Sequence, residues 1–349
     1  MKNIQYIFIS NGYRGGNSTF SRNHMLYLNS LKKKIILIDD NPKKTYQNLP
    51  KNIKILKVKT NIFYLDTHRK LKKILVNNLD NKIIFITNYA FIIKYFYIFF
   101  TLKKNTKIVL TIHSGLLNLN IKNYIAGFIF SIIYRKIDHL FFGSESSKNW
   151  WKNYFPWMQI KKNLVHKNGV VLNKNLNTKK VNKKLNISFV GRLEEENNPK
   201  FFIDIAEEFL KHKKNVVFNI YGDGSLIKKL KALSKNNKII FHGWSEKKKI
   251  FSNTDIILIT SPINNFPYVA IEAKSFGIPV ISCSKGDINK IIKNNVDGLI
   301  KYTNSKNKMI ELIVRIEKNY NFFSKNCLHR SKKYNVDKLC KKFWDSITD

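Results

Sequence analysis

At 349 residues, with 44% hydrophobic and 13% aromatic content, the chain can build two domains of ordinary size and is not a disordered polymer. Lys and Arg number 63 against 23 Asp and Glu, a formal net charge of +40 that reads either as a compositional bias toward Lys, Asn and Ile scattered over the whole length or as attraction to a polyanion, nucleic acid or an anionic membrane surface. The three cysteines, Cys283, Cys327 and Cys340, show neither metal-ligand spacing nor an even-numbered framework, so a reduced, cytoplasmic setting is expected.

Short runs rich in Ile, Val and Phe recur along the chain, parted by longer stretches of helical period, the pattern of βαβ units in a parallel sheet. In the first half the strand-like runs are residues 5–10, 34–39, 53–58, 82–87, 107–111 and 139–143. Behind the first comes Asn11-Gly12-Tyr13-Arg14-Gly15-Gly16-Asn17, with a helix expected from about Ser18. Glycine lets the backbone approach a phosphate and successive amides form an anion nest; an ordinary strand–helix turn is the alternative. No secretory leader is expected, because residues 4–10 read as a strand and the glycine-rich turn is not a cleavage site. Residues 83–102 match one bilayer crossing in length, but Asn88 and Lys94 interrupt them, and they divide into a strand and an aromatic-rich helix over 89–102. Residues 124–134 are too short to span. Both stretches read as elements of a soluble fold, with one face resting on lipid as the alternative. His113 follows the fifth run, and Ser144 with Glu145 follows the sixth, where they suit a helix cap.

The tract Lys167-Asn168-Gly169-Val170-Val171 marks a turn, and the Asn/Lys/Thr-rich stretch after it reads as a linker. The expected division is a first domain over 1–170, a linker over 171–184, a second domain over 185–330 and a final segment over 331–349. Strand-like runs of the second half are 186–190, 215–221, 238–242, 255–260, 278–283 and 298–300. Two doubly wound, Rossmann-like α/β domains joined in this way are expected to face each other across a cleft lined by strand C-terminal ends. In the last helical stretch Leu339, Phe343 and Ile347 share one face.

Four segments of the second half carry the chemistry. They are Val190-Gly191-Arg192-Leu193, Tyr221-Gly222-Asp223-Gly224-Ser225, Phe241-His242-Gly243-Trp244, and the loop from Ser261 to Ala273 with Ile278-Pro279-Val280 behind it. A loop after a strand that leads into a helix is how α/β proteins hold nucleotides. Each segment is weak alone, but in this order they resemble the retaining GT-B glycosyltransferases usually called family four, or glycosyl transferases group 1. The family loop reads Glu-Gly-Phe-Pro, four residues, then Glu-Ala. Phe266, Pro267, Glu272 and Ala273 match it, while Asn264 and Asn265 stand in place of Glu and Gly. The resemblance continues through the first half in the glycine-rich turn, Thr111-Ile112-His113, Ser144-Glu145 and Asn168-Gly169-Val170.

The resemblance implies a GT-B fold, with a C-terminal helix over 331–349 that crosses back to the first domain, and transfer of a sugar from a UDP- or GDP-linked donor to a cell-surface polysaccharide, lipopolysaccharide or lipid-linked acceptor. It also implies retention of configuration, no metal and no cofactor. Such an enzyme must absorb charge on a departing diphosphate, and Arg192 past a strand end suits a bidentate contact there. The alternative for Arg192 is a surface ion pair with Glu194 or Glu195. The family's partner Lys falls at Asn197; Lys200, beyond Pro199 in the first turn of a helix, either replaces it or is solvated. Glu272 matches the carboxylate that accepts two ribose hydroxyls, with a helix-dipole charge as the alternative. Asn264 takes the place of a carboxylate that touches the transferred sugar; an amide still donates and accepts but brings no negative charge. The amides of Asn265, Phe266 and Tyr268 are expected near the donor, although losing Gly at 265 restricts that backbone. Gly222 and Gly224 shape a turn near the base, which Trp244 flanks through its backbone. In the first domain Gly15 and Gly16 approach the diphosphate, and His113 lies near the sugar. His113, Arg192 and Asn264 are thus the catalytic candidates. The rivals are a non-catalytic sugar-nucleotide or glycan binder, a nucleotide-sugar epimerase of similar fold, and a nucleic-acid binder, against which stands the absence of RNA-binding motifs. A peripheral position on the inner face of the membrane is expected.

Overall fold

The computed structural model describes residues 4–10, 15–46, 48–58, 65–76, 81–87, 95, 98, 100–102, 104–113, 121–156, 163–172, 184–213, 215–264 and 266–348. Expectations placed on residues 11–14, on most of 88–97, on 173–183 of the linker and on Asn265 therefore lie outside the described residues.

The chain divides into two compact units, one of Met1–Gly169 with Val336–Asp349 and one of Val170–Asn335. The first holds a parallel sheet of β1 (Ile4–Ile9), β2 (Lys34–Asp39), β3 (Lys54–Lys57), β4 (Asn81–Ile86), β5 (Thr106–Ile112), β6 (His139–Phe142) and β7 (Asn163–Val165). Their spatial order is β3-β2-β1-β4-β5-β6-β7. Residues Ile7 to Ile9, Ile83 to Ile86 and Ile108 to Leu110 are buried in succession, as strands covered by helices on both faces must be. The short β7 was not expected from the sequence, for its three residues carry too little apolar run to stand out.

The second unit contains β8 (Leu185–Val190), β9 (Val216–Tyr221), β10 (Ile239–Gly243), β11 (Ile256–Ile259), β12 (Val280–Ser282) and β13 (Gly298–Ile300). All pair in parallel, in the order β10-β9-β8-β11-β12-β13. Counted within the unit this is 3-2-1-4-5-6, the Rossmann order. The direction in which each sheet grows reverses once, between β1 and β4 in the first unit and between β8 and β11 in the second. Ligands of open α/β sheets settle outside the carboxyl ends of strands at that reversal.

The last helix, Val336–Thr348, belongs to the first unit. It buries Phe343, Trp344 and Ile347, with the Phe343 ring centred 4.2 Å from that of Phe141 and Trp344 5.3 Å from Tyr6. The Lys107 ammonium donates to the Ile347 carbonyl at 2.8 Å, satisfying one acceptor of a final turn that has no intrahelical partner. Among the described residues no helix is long and apolar enough to cross a membrane.

Candidate active site

In the second unit the loops after β8, β9 and β10 are stitched together by backbone hydrogen bonds. The Gly191 amide donates to Tyr221 O at 3.0 Å, Leu193 to Asp223 O at 2.9 Å and Gly222 to Gly243 O at 2.8 Å. Gly222, at φ 138°, approaches so closely that a Cβ would lie 1.9 Å from Gly191 O. Only glycine fits there. Glu194 ties the same loops, accepting from the Ser225 amide at 2.9 Å and its hydroxyl at 2.6 Å, and those bonds hold its carboxyl below the usual range.

Arg192 emerges from this frame just past β8, with 63% of its side chain exposed. Its guanidinium pairs with Glu196, not with Glu194 or Glu195 as the surface-pair alternative supposed. Glu194 is engaged by Ser225, and Glu196 lies four residues beyond Arg192. The Asn197 amide group donates to Arg192 O at 2.9 Å, while its own carbonyl accepts from Thr260 Oγ1 at 3.2 Å. The residue thus joins the loop after β8 to the end of β11, across the reversal point. Lys200 lies in the first turn of the helix Pro199–His212, where its ammonium meets Asp204 at 2.7 Å.

The loop after β11 is fixed from β12. Asn264 N donates to Lys285 O at 2.9 Å, Lys285 N to Pro262 O at 2.8 Å and Ser284 Oγ to Ser261 O at 2.6 Å. The Asn264 side-chain amide donates to Ser261 Oγ, leaving its oxygen as an acceptor. Phe266 is half-buried, its ring 6.1 Å from that of Tyr334, and Pro267 caps the helix Tyr268–Ser275. Glu272 is the fifth residue of this helix, beyond the first turn, where the macrodipole acts most weakly. Its side chain is only 13% exposed and pairs with Lys247, itself 57% exposed, at the start of the helix Lys247–Ser252. Sequence reasoning missed Lys247, because nothing local links two residues 25 positions apart. Gly224 and Trp244 stand on the stitched loops, Trp244 with its ring half-exposed. One edge of the sheet therefore carries Arg192, Asn197, Gly222, Gly224, Trp244, Asn264, Phe266, Tyr268 and Glu272.

In the first unit the helix Gly16–Ser30 begins two residues before the expected Ser18. Gly15 caps it: its amide donates to Ser18 Oγ at 3.0 Å, and that hydroxyl donates to Gly15 O at 2.9 Å. His113 directly follows β5, with Nε2 buried and without a hydrogen-bond partner among the described residues. A Cβ on Gly143 would lie 2.7 Å from His113 Nδ1, so that glycine makes room for the ring. Phe20 packs on the imidazole at 4.6 Å. Burial pushes the His113 pKa down to about 4, which keeps the ring neutral at pH 7. Burial and then His113 and Lys342 take His166 down to about 3, and burial, His166 and His113 lower His24 as well. His24 and His166 both pack against Phe343 of the last helix, at 4.6 and 4.7 Å. Ser144 accepts from the Ser147 amide at 3.1 Å as the cap of the helix Glu145–Tyr154, the role its position suggested.

Residues 173–334 match the family of glycosyl transferases group 1. Over 173 residues, 46% of this chain and 45% of the relative, the sequence is 28% identical to the UDP-Gal:alpha-D-GlcNAc-diphosphoundecaprenol alpha-1,3-galactosyltransferase of Escherichia coli. The chain spans less than half the length of the curated relatives it matches first. Among solved structures, Anabaena Alr3699/HepE in complex with UDP and glucose is similar at TM-score 0.80 and 13% identity, over 100% of both chains. The apo form of the lipopolysaccharide outer core galactosyltransferase WaaB is similar at TM-score 0.68 and 19% identity, over 99% of both chains.

Proposed function

We propose that this chain, whose residues 173–334 match the glycosyl transferases group 1 and whose fold is GT-B, transfers a sugar from a nucleotide diphosphate donor to a glycan acceptor. The observation that carries this reading is the convergence of Arg192 and the Phe266–Glu272 loop at the β8/β11 reversal. That is where an open α/β sheet takes a nucleotide. UDP is the favoured nucleotide, since the similar Anabaena protein holds UDP. The acceptor is a lipid-linked or cell-surface glycan, the class on which the similar Escherichia coli galactosyltransferase acts.

In this reading Arg192 exchanges Glu196 for the diphosphate and neutralises the charge that grows as the bond between sugar C1 and the phosphate oxygen breaks. The Glu272 carboxylate accepts two ribose hydroxyls in place of Lys247, whose ammonium is then free for the phosphates. By the resemblance, Gly15 and Gly16 serve the diphosphate and His113 the sugar. A neutral imidazole with an open Nε2 suits a hydroxyl partner rather than a proton donor at pH 7. The acceptor oxygen attacks C1 on the face the phosphate leaves, and the acceptor proton passes to the departing phosphate oxygen. Configuration is retained and no metal is needed.

A thermal-shift screen against UDP, GDP, ADP and CDP tests the reading, with UDP expected to protect most. The second reading, a binder without turnover, draws on Asn264 and Asn197, whose side-chain amides are engaged by Ser261 and by the backbone of Arg192. UDP-sugar binding without transfer or hydrolysis, unchanged in Asn264→Glu, would favour it.

A further inference from the structure

Over its described side chains, residues 127–133, the helix Ile121–Ile133 buries only one face. Phe130 and Ile133 enter the core of the first unit, and Gly127 lies against Phe155, whose ring would meet an added Cβ at 2.0 Å. Phe128 and Ile132, four residues apart and so on one face, are 56% and 55% exposed. Phe100, 50% exposed, sits near the end of this helix, with the Lys136 ammonium 5.6 Å from its ring centroid. Arg135 and Lys136, both exposed, form the 3-10 turn that follows, Tyr134–Lys136. An exposed apolar helix face running into a basic turn, whose Lys136 covers a further exposed ring, differs from the scattered exposure of an ordinary surface.

The sequence that carries them is one-sided in charge, although Lys82 is buried on the Leu75 carbonyl and Lys107 is bonded to the Ile347 carbonyl. Between Asp80 and Asp138 the sequence holds no acidic residue and eight basic ones, Lys82, Lys94, Lys103, Lys104, Lys107, Lys122, Arg135 and Lys136. Asp138 accepts from the Ile108 amide at 2.7 Å, so even the bordering carboxylate is occupied by backbone. We infer that Phe128, Ile132 and Phe100, with Arg135 and Lys136, form a docking surface for an anionic lipid bilayer. The apolar side chains enter the boundary between headgroups and acyl chains, while guanidinium and ammonium groups stay at the phosphates. A nucleic acid would answer the charge but leave Phe128 and Ile132 in water. Because none of these residues is one to which the donor chemistry is assigned, the inference does not rest on that chemistry.

Co-sedimentation with vesicles of phosphatidylcholine, with and without about a third phosphatidylglycerol, tests it. The wild-type chain is expected to sediment with the anionic vesicles and to be released by high salt. The double variant Phe128→Ser/Ile132→Ser should bind at least about tenfold more weakly. Arg135→Glu/Lys136→Glu should bind more weakly with a shallower salt dependence. Circular-dichroism melting of each variant checks that it folds, which these exposed positions permit. Failure of the wild-type chain to sediment overturns the proposal, as does equal binding by Phe128→Ser/Ile132→Ser. Tight duplex DNA binding that the serine variant retains, without vesicle binding, would assign the charge to nucleic acid instead.

Discussion

Arg192 and Glu272 each carry a single oppositely charged partner, Glu196 and Lys247, both partners being largely exposed. The Arg192–Glu196 pair is exposed and worth little, so a nucleotide can displace it at small cost, whereas the Glu272–Lys247 pair is exposed only on its lysine side. A charge-assisted hydrogen bond to the ligand is worth about 1.5–3 kcal/mol, roughly ten- to a hundredfold in affinity or rate. If Glu272 reads ribose, Glu272→Ala should bind UDP and 2′-deoxy-UDP equally, whereas the wild-type chain should prefer UDP; equal preference in both would remove Glu272 from the ribose. The three buried histidines make a separate prediction. Their folded pKa values lie below 6.5, with His113 at about 4 and His166 at about 3, so the unfolded chain protonates first as pH falls. The stability they lend is complete above about pH 6.5 and declines below it. The urea midpoint of the first unit should therefore drop between pH 7 and pH 5, above the carboxylate range. His166→Phe should flatten that drop, and an unchanged slope would contradict the assignment.

At the scale of elements, the site depends on how tightly three loops are sewn. Gly222→Ala places a methyl group against Gly191 O and forces a side chain to φ 138°. The conformation alone costs about 1–3 kcal/mol. A lower urea midpoint and weaker UDP binding are expected together, and wild-type values for both would show the loops to be slack. The strands themselves were legible because buried parallel strands are long Ile/Val/Phe runs, as in Ile35-Ile36-Leu37-Ile38, and need no partner's sequence to be seen. β7 was missed because three residues give no periodicity. The helix start at Gly16 was placed late because Ser18 looks like a cap in sequence, yet its hydroxyl works from inside the first turn on Gly15. The pairings of Arg192 with Glu196 and Glu272 with Lys247 differ in the same way: the first is local and within reach of helical spacing, the second joins two helices and is invisible until the chain folds.

For the whole molecule, the likeness to group 1 glycosyltransferases was carried by ordered segments, and the strand order β10-β9-β8-β11-β12-β13 explains why they have to be ordered so. The segments ending β8, β9, β10 and β11 are successive in sequence and neighbours in the sheet, so a short series of motifs maps onto one edge. Asn197 shows the limit of that mapping. Its side chain bonds the Arg192 carbonyl and its own carbonyl receives Thr260, and no residue pattern signals those two bonds. The central claim is that a nucleotide diphosphate binds at the β8/β11 reversal with Arg192 on its phosphates. Calorimetric titration of UDP into the wild-type chain and Arg192→Ala tests this most directly. Saturable wild-type binding, weakened about tenfold or more in the variant, is the predicted result. Equal affinity in the two proteins, or no binding of UDP by the wild-type chain, would contradict it.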